Sequence, residues 1–174
     1  ESETDVELVA QKIKETFDNH PIANNKKFQL WFEPGKFLVS QCGYMLAQVT
    51  VLKDTGSIVF AAVDSGLNHL IRPMMYDAYH YIENISNPEG EMKTYTVTGN
   101  ICETDTFASD RKLNEIREGD YLAFFNAGAY GFEMASNYNS RYKPAEVLVK
   151  DNKLHLIRRR DEWSDLLNNQ VEVL

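Results

Sequence analysis

Apolar residues recur at helical spacing near the start of the chain, where Val6, Val9, Ile13 and Phe17 are separated by Lys12, Lys14 and Glu15. That period predicts an amphipathic helix that needs an apolar surface to lie on, with Glu3-Thr4-Asp5 supplying its cap and first-turn acids. A polar loop from His20 to Lys27 follows. Then comes Phe28-Gln29-Leu30-Trp31-Phe32-Glu33, a short apolar run ended by Pro34-Gly35. A helix followed by such a run reads as one αβ unit of a parallel sheet, the run being a strand buried on both faces. One unit cannot close a sheet, so either the run sits on the edge of something else or this part of the chain is a piece of a larger α/β domain, the second being the favoured reading.

Beyond it the pattern shortens. Residues 37–51, with Phe37, Leu38, Tyr44, Met45, Leu46 and Val49, predict a short helix passing into a strand. Lys53-Asp54-Thr55-Gly56 is a turn, and Ile58, Val59, Phe60 and Val63 mark a strand that ends at Asp64-Ser65-Gly66. Residues 67–75 read as irregular around Pro73, and the aromatic stretch from Tyr76 to Ile85 as strand by its end. After the turn Asn87-Pro88-Glu89-Gly90, the run Thr94-Tyr95-Thr96-Val97-Thr98 has the β-branched and aromatic makeup of a strand. Glu118-Gly119-Asp120 turns into the strand Tyr121–Phe125, residues 145–157 form a hairpin across Lys150-Asp151-Asn152-Lys153, and Asp161-Glu162 opens a closing helix with Trp163, Leu166 and Leu167. Many short strands at turn-marked spacing predict an antiparallel β-barrel or sandwich after about residue 48.

Composition narrows the function. The 174 residues carry a formal charge of -8, which argues against a nucleic-acid partner. No apolar run approaches the roughly 20 residues that span a bilayer, and the acidic start is not expected to be a signal peptide. Cys42 and Cys102 make no disulfide framework, so a reduced, cytoplasmic setting is expected. The cysteines and the four histidines show no metal-ligand spacing, so no metal is expected.

Candidate chemistry concentrates in Gly99-Asn100-Ile101-Cys102-Glu103-Thr104-Asp105-Thr106. A thiol, two carboxylates and two hydroxyls follow directly on a strand, and reactive groups on a loop at a strand's end are a common way to build a site. Read by itself, the stretch better fits an inert cysteine and solvated carboxylates at a strand end, since a free cysteine is usually a small hydrophobe. Cys42, between Gln41 and Gly43, reads as a packing residue.

Taken together, the motifs resemble a known family. Glu33-Pro34-Gly35-Lys36, Val63-Asp64-Ser65-Gly66-Leu67-Asn68, Arg72-Pro73-Met74-Met75-Tyr76-Asp77-Ala78-Tyr79-His80, Cys102-Glu103-Thr104-Asp105, Gly128-Ala129-Tyr130 with Ser136-Asn137-Tyr138-Asn139, and Lys143-Pro144-Ala145-Glu146-Val147 occur in one colinear order. They resemble the C-terminal part of diaminopimelate decarboxylase, among the fold-related amino-acid decarboxylases that use pyridoxal 5'-phosphate. The resemblance implies that residues 1–46 are the last αβ portion of a TIM-type α/β barrel. Residues 47–174 would be a C-terminal β-domain like that of alanine racemase, completing the site of the neighbouring subunit in a homodimer. The family's Schiff-base lysine lies on an early barrel strand, so this chain is expected to be part of a lyase and inactive alone.

The resemblance also implies roles. Glu33 would hold the proton on the pyridine nitrogen, because a carboxylate beside it raises its pKa. Gly35, Lys36 and Tyr130 would contact the cofactor. Lys36, Arg72, Tyr76, Glu103 and Tyr130 would bind substrate, with Arg72 and Tyr76 gripping a distal carboxylate and Glu103 reading a distal ammonium. Cys102 would be the proton donor, as a thiol protonated at neutral pH can be. Lys36 stands where the family usually has arginine, and Thr104 runs straight into Asp105 without the usual glycine between. The expected activity is conversion of meso-diaminopimelate to lysine and carbon dioxide. The alternatives are another basic amino acid or carboxylated polyamine as substrate, or a non-catalytic β-barrel for binding or assembly.

Overall fold

The computed structural model describes residues 4–23 and 28–173. Glu3 and the 24–27 part of the expected polar loop lie outside the described residues. The chain divides into two units, Glu1–Pro34 and Gly35–Leu174.

In the first unit, α1 (Val6–Asn19) is capped by Asp5, whose carboxylate accepts from the Leu8 backbone N–H at 2.9 Å. No residue of α1 is buried. The run Phe28–Glu33, expected as a buried strand, has no regular structure, and Trp31 is 86% exposed. Its composition is that of a strand, but a strand exists only through a ladder with a neighbour, and no ladder reaches these residues.

The second unit is mainly β. A short α2 (Gly35–Val39) and a 3-10 turn (Ser40–Cys42) lead into β1 (Met45–Asp54). Then come β2 (Val59–Val63), α3 (Arg72–Tyr76), β3 (Ile82–Asn84), β4 (Met92–Thr98), β5 (Thr106–Asn114) and β6 (Tyr121–Phe124). The chain closes with β7 (Glu146–Lys150), β8 (Lys153–Arg158) and α4 (Trp163–Leu167). Six strands form one sheet in the order β3-β6-β1-β2-β4-β5, and β7 pairs β8 as the expected hairpin. Among the described residues, all pairings are antiparallel except β2 with β4, which is parallel because the chain returns through α3 and β3 before entering β4.

Inward positions alternate in β1 and β2, at Ala47 and Val49 and at Ala61 and Val63, whereas β4 buries Tyr95, Thr96 and Val97 together and β6 buries Leu122, Ala123 and Phe124. Register breaks at Val49/Val51 and Tyr95/Val97 curl the sheet. The two end strands are drawn together by Asn84 on β3, whose Nδ2 donates to the Glu115 carbonyl at 2.8 Å, just beyond β5. Phe107 of β5 packs on Phe124 of β6 with ring centroids 4.9 Å apart, and the result is a nearly closed barrel. No described helix is long and apolar enough to cross a membrane.

Candidate active site

The parallel pairing of β2 and β4 puts the C-terminal ends of both strands at one end of the sheet, so the loops after them lie side by side. Asp105 joins them. This buried carboxylate accepts from the Leu67 N–H at 2.7 Å and from the Ile101 N–H at 2.8 Å. Its backbone carbonyl accepts from Gly99 at 2.7 Å, and the Asn100 N–H donates to the Ser65 carbonyl at 2.9 Å. A side chain at Gly99 would overlap the Asp105 carboxylate. Burial pushes the Asp105 carboxyl above the usual carboxylate range, and the two N–H bonds pull it back only in part. The framed loop presents Cys102 and Glu103 to solvent.

Glu103 is held by Tyr138, whose hydroxyl donates to Oε1 at 3.2 Å. That bond and the neighbouring charge raise the Tyr138 phenol, keeping it a donor. The Ser136 N–H donates to the Asn68 carbonyl at 2.8 Å, which anchors the segment leading to Tyr138. Leu67, Ile71, Glu103, Ser136 and Tyr138 line a hollow of about 330 Å³.

A second group of residues gathers around Tyr130. Gly43 and Gly128 meet backbone to backbone: a side chain on Gly128 would overlap the Val39 carbonyl. The Gly128 N–H donates to the Ser40 carbonyl at 3.0 Å and the Ala127 N–H to the Gly43 carbonyl at 2.8 Å. These contacts fasten the segment carrying Gly35 and Lys36 to the loop carrying Tyr130, which sits in the left-handed region at φ 57°. Arg72 opens α3, its guanidinium carbon 5.9 Å from the Tyr130 ring centroid and its Nη1 3.4 Å from His80 Nε2. Tyr76, at the other end of α3, is exposed one turn from Arg72.

The structure therefore brings Arg72 to Tyr130 and leaves Cys102 and Glu103 on another loop. Among the described residues, no hydrogen bond joins those two to Arg72, Tyr76 or Tyr130. Lys36 is exposed, as is Glu33 in the first unit. Cys42, expected as a packing residue, is instead exposed at the end of the 3-10 turn, where its thiol donates to the Val39 carbonyl at 2.9 Å. Sequence reasoning assigned no role to Tyr138, Asp105 or His80. All three lie inside the motifs quoted above, which was the available signal.

A family model described as "Pyridoxal-dependent decarboxylase, C-terminal sheet domain" matches residues 36–128. The chain is 49% identical over 140 residues to the diaminopimelate decarboxylase of Methanothermobacter thermautotrophicus, a match covering 79% of this chain and 32% of that protein. It is 40% identical over 153 residues to the diaminopimelate decarboxylase of Aquifex aeolicus, covering 87% of this chain and 36% of that one. A solved diaminopimelate decarboxylase from Helicobacter pylori, complexed with L-lysine, superposes with a TM-score of 0.82 at 34% identity. That superposition covers 97% of this chain and 40% of the solved one. The chain spans about a third of the length of the curated relatives it matches.

Proposed function

Since this chain belongs to the pyridoxal-dependent decarboxylases, whose C-terminal sheet domain it carries, we propose that it is the C-terminal part of an enzyme that decarboxylates meso-diaminopimelate to L-lysine. One observation carries the substrate: Arg72 and Glu103 offer opposite charges, each held by a neighbouring side chain, His80 for the first and Tyr138 for the second. A zwitterionic distal end needs both charges. An amino acid ending in an amine alone needs no arginine.

Pyridoxal phosphate, when bound, supplies an electron sink for the pair left at the substrate's Cα as carbon dioxide departs. The chemistry of the donor set fits it. The Lys36 ammonium and the Tyr130 hydroxyl are exposed donors, and nothing crowds the side-chain face of Gly35. Lys36, Gly35 and Tyr130 would hold the phosphate, and Glu33 would keep the proton on the ring nitrogen. Arg72 with Tyr76 grips the distal carboxylate, Lys36 and Tyr130 add substrate contacts, and Glu103 accepts from the distal ammonium. Cys102 gives the proton on Sγ to Cα, ending as thiolate until solvent reprotonates it.

The lysine that carries the cofactor belongs to the barrel portion of such an enzyme, so this chain is inactive alone. Cys102 and Glu103 serve the site of a partner subunit in a homodimer. Exposed Val149, Leu154, Leu156 and Ile157 on the β7–β8 hairpin support an interface, because so much apolar surface favours a covering chain. The two free cysteines support a reduced, cytoplasmic setting.

Carbon dioxide release by the full-length protein from diaminopimelate, lysine, ornithine and arginine tests the reading. Strong preference for diaminopimelate is expected. Preference for ornithine or lysine would move the substrate to another basic amino acid, and no turnover of any would overturn the enzyme reading.

A further inference from the structure

We propose that His80 is a positioning residue that aims the Arg72 guanidinium at the substrate's distal carboxylate. The inference rests on the function proposed above and goes beyond it.

His80 is 1% exposed, and its ring is fixed at one nitrogen: Nδ1 lies 2.7 Å from the Phe125 carbonyl. A carbonyl only accepts, so Nδ1 carries the proton. At the other nitrogen, Arg72 Nη1 lies 3.4 Å from Nε2, and a guanidinium only donates, so Nε2 presents its lone pair. The two neighbours together select one neutral tautomer. The backbone is fixed as well. The His80 carbonyl accepts from Arg111 Nη1 at 3.0 Å, the Arg111 guanidinium lies 4.1 Å from the Tyr79 ring centroid, and the Phe125 N–H donates to the Tyr81 carbonyl at 2.8 Å. The segment from 79 to 81 is thus tied to β5 on one side and to the end of β6 on the other. The Ala78 N–H reaches back to the Arg72 carbonyl at 3.3 Å, so Arg72 and His80 close one tight turn around α3.

The choice of histidine has a chemical reason. A carboxylate in this place would orient Arg72 and also neutralise it. A neutral acceptor takes one of the five guanidinium donors and leaves the full positive charge, with the remaining donors available for bidentate contact with a carboxylate. The contact at Nη1, together with the Tyr130 ring, fixes the plane of the fork before the substrate arrives.

Two variants separate the ring's two jobs. In H80N the amide can still donate to the Phe125 carbonyl, but nothing reaches Arg72. In H80Q an amide oxygen returns near the place of Nε2. With the full-length protein, H80N is expected to raise KM for diaminopimelate roughly tenfold, the effect of losing one hydrogen bond to a charged group, with kcat within about twofold. Competitive inhibition by cadaverine, which is the lysine product without its carboxylate, should not change, and H80Q should recover most of the loss. Two readouts need no turnover. In the isolated chain, the side-chain nitrogens of Arg72 should give resolved, slowly rotating signals in wild type that average in H80N. Long-range nitrogen spectra of wild type should place the His80 proton on Nδ1. A proton on Nε2 would overturn the proposal even if neither variant folds. So would an H80N protein with unchanged KM and unchanged Arg72 signals, or an equal loss in cadaverine binding that H80Q does not repair. If wild type does not turn over diaminopimelate, the proposed function fails while the two spectroscopic readouts still decide the positioning role.

Discussion

Replacing Asp105 by alanine tests how the Cys102 loop is held. The carboxylate is 5% exposed and accepts two backbone N–H groups from different segments, Leu67 after β2 and Ile101 after β4. Alanine leaves both donors buried without partners, at about 1–3 kcal/mol each. The loss is offset in part because a buried carboxylate is itself costly, as its raised pKa shows. A net loss of about 2–4 kcal/mol is expected, which in a domain of this size lowers Tm by roughly 4–16 °C. Asparagine should fall in between, since its oxygen satisfies one donor and its NH₂ faces the other. The assay is thermal unfolding by circular dichroism with amide exchange read at Leu67 and Ile101. Both amides should be protected in wild type and exchange faster in the alanine variant. A Tm within about a degree of wild type, with Ile101 still protected, would refute the claim that this carboxylate joins the two loops. The pH dependence carries a definite sign. Because the folded pKa is raised, protonation favours the folded state: the contribution is present below the unfolded value and lost as pH rises through the folded one. Wild type should therefore lose a little stability across the window just above the ordinary carboxylate range, and the asparagine variant should not.

Gly128→Ala should lower Tm by several degrees and disturb Tyr130, because the added methyl meets the Val39 carbonyl; tyrosine side-chain NMR signals check it, and an unperturbed Tyr130 would count against the backbone contact with Gly43. In the full-length protein, Arg72→Ala should weaken diaminopimelate by about 1.5–3 kcal/mol and erode preference over substrates without a distal carboxylate; competition kinetics read it. Asp165 accepts from Arg159 Nη1 and Nη2 at 2.6 and 2.7 Å, which pulls its pKa down to about 2. This stabilisation is present above the unfolded value and lost as pH falls toward about 2. Carboxyl NMR titration should show Arg159→Ala returning Asp165 toward the ordinary range.

Much of the barrel was legible because period-2 burial survives in β1 and β2, while β4 and β6 carry the apolar and β-branched makeup of strands with three consecutive buried residues each. Strand β5 was not. Phe107, Ala108 and Leu113 are buried, but Asp110 takes a left-handed φ of 49° and interrupts the alternation among Asp110, Arg111 and Lys112. The run Phe28–Glu33 failed for the opposite reason, having a strand's composition and no partner. In α3, Pro73 read as a breaker, whereas at the first turn of a helix its fixed φ is compatible. The motif resemblance picked out Arg72, Cys102, Glu103 and Tyr130. It could not show that Arg72 meets Tyr130 across 58 positions, because such a contact depends on two glycine backbones touching at Gly43 and Gly128. Tyr138 and His80 act on other side chains, and one-dimensional spacing carries no trace of those bonds.

If Cys102 delivers a proton in a composite site shared by two subunits, as proposed above, subunit complementation will reveal it. One full-length variant lacks the Schiff-base lysine and another carries Cys102→Ala. Each homodimer should be crippled, the cysteine variant by about 10²–10⁴-fold. After subunit exchange, about half the dimers are mixed, and each mixed dimer has one site with both groups intact. Activity should return to roughly a quarter of wild type by that pairing. If exchange is demonstrated and activity stays at the level of the two parents, Cys102 does not serve its partner's site and the composite site is refuted.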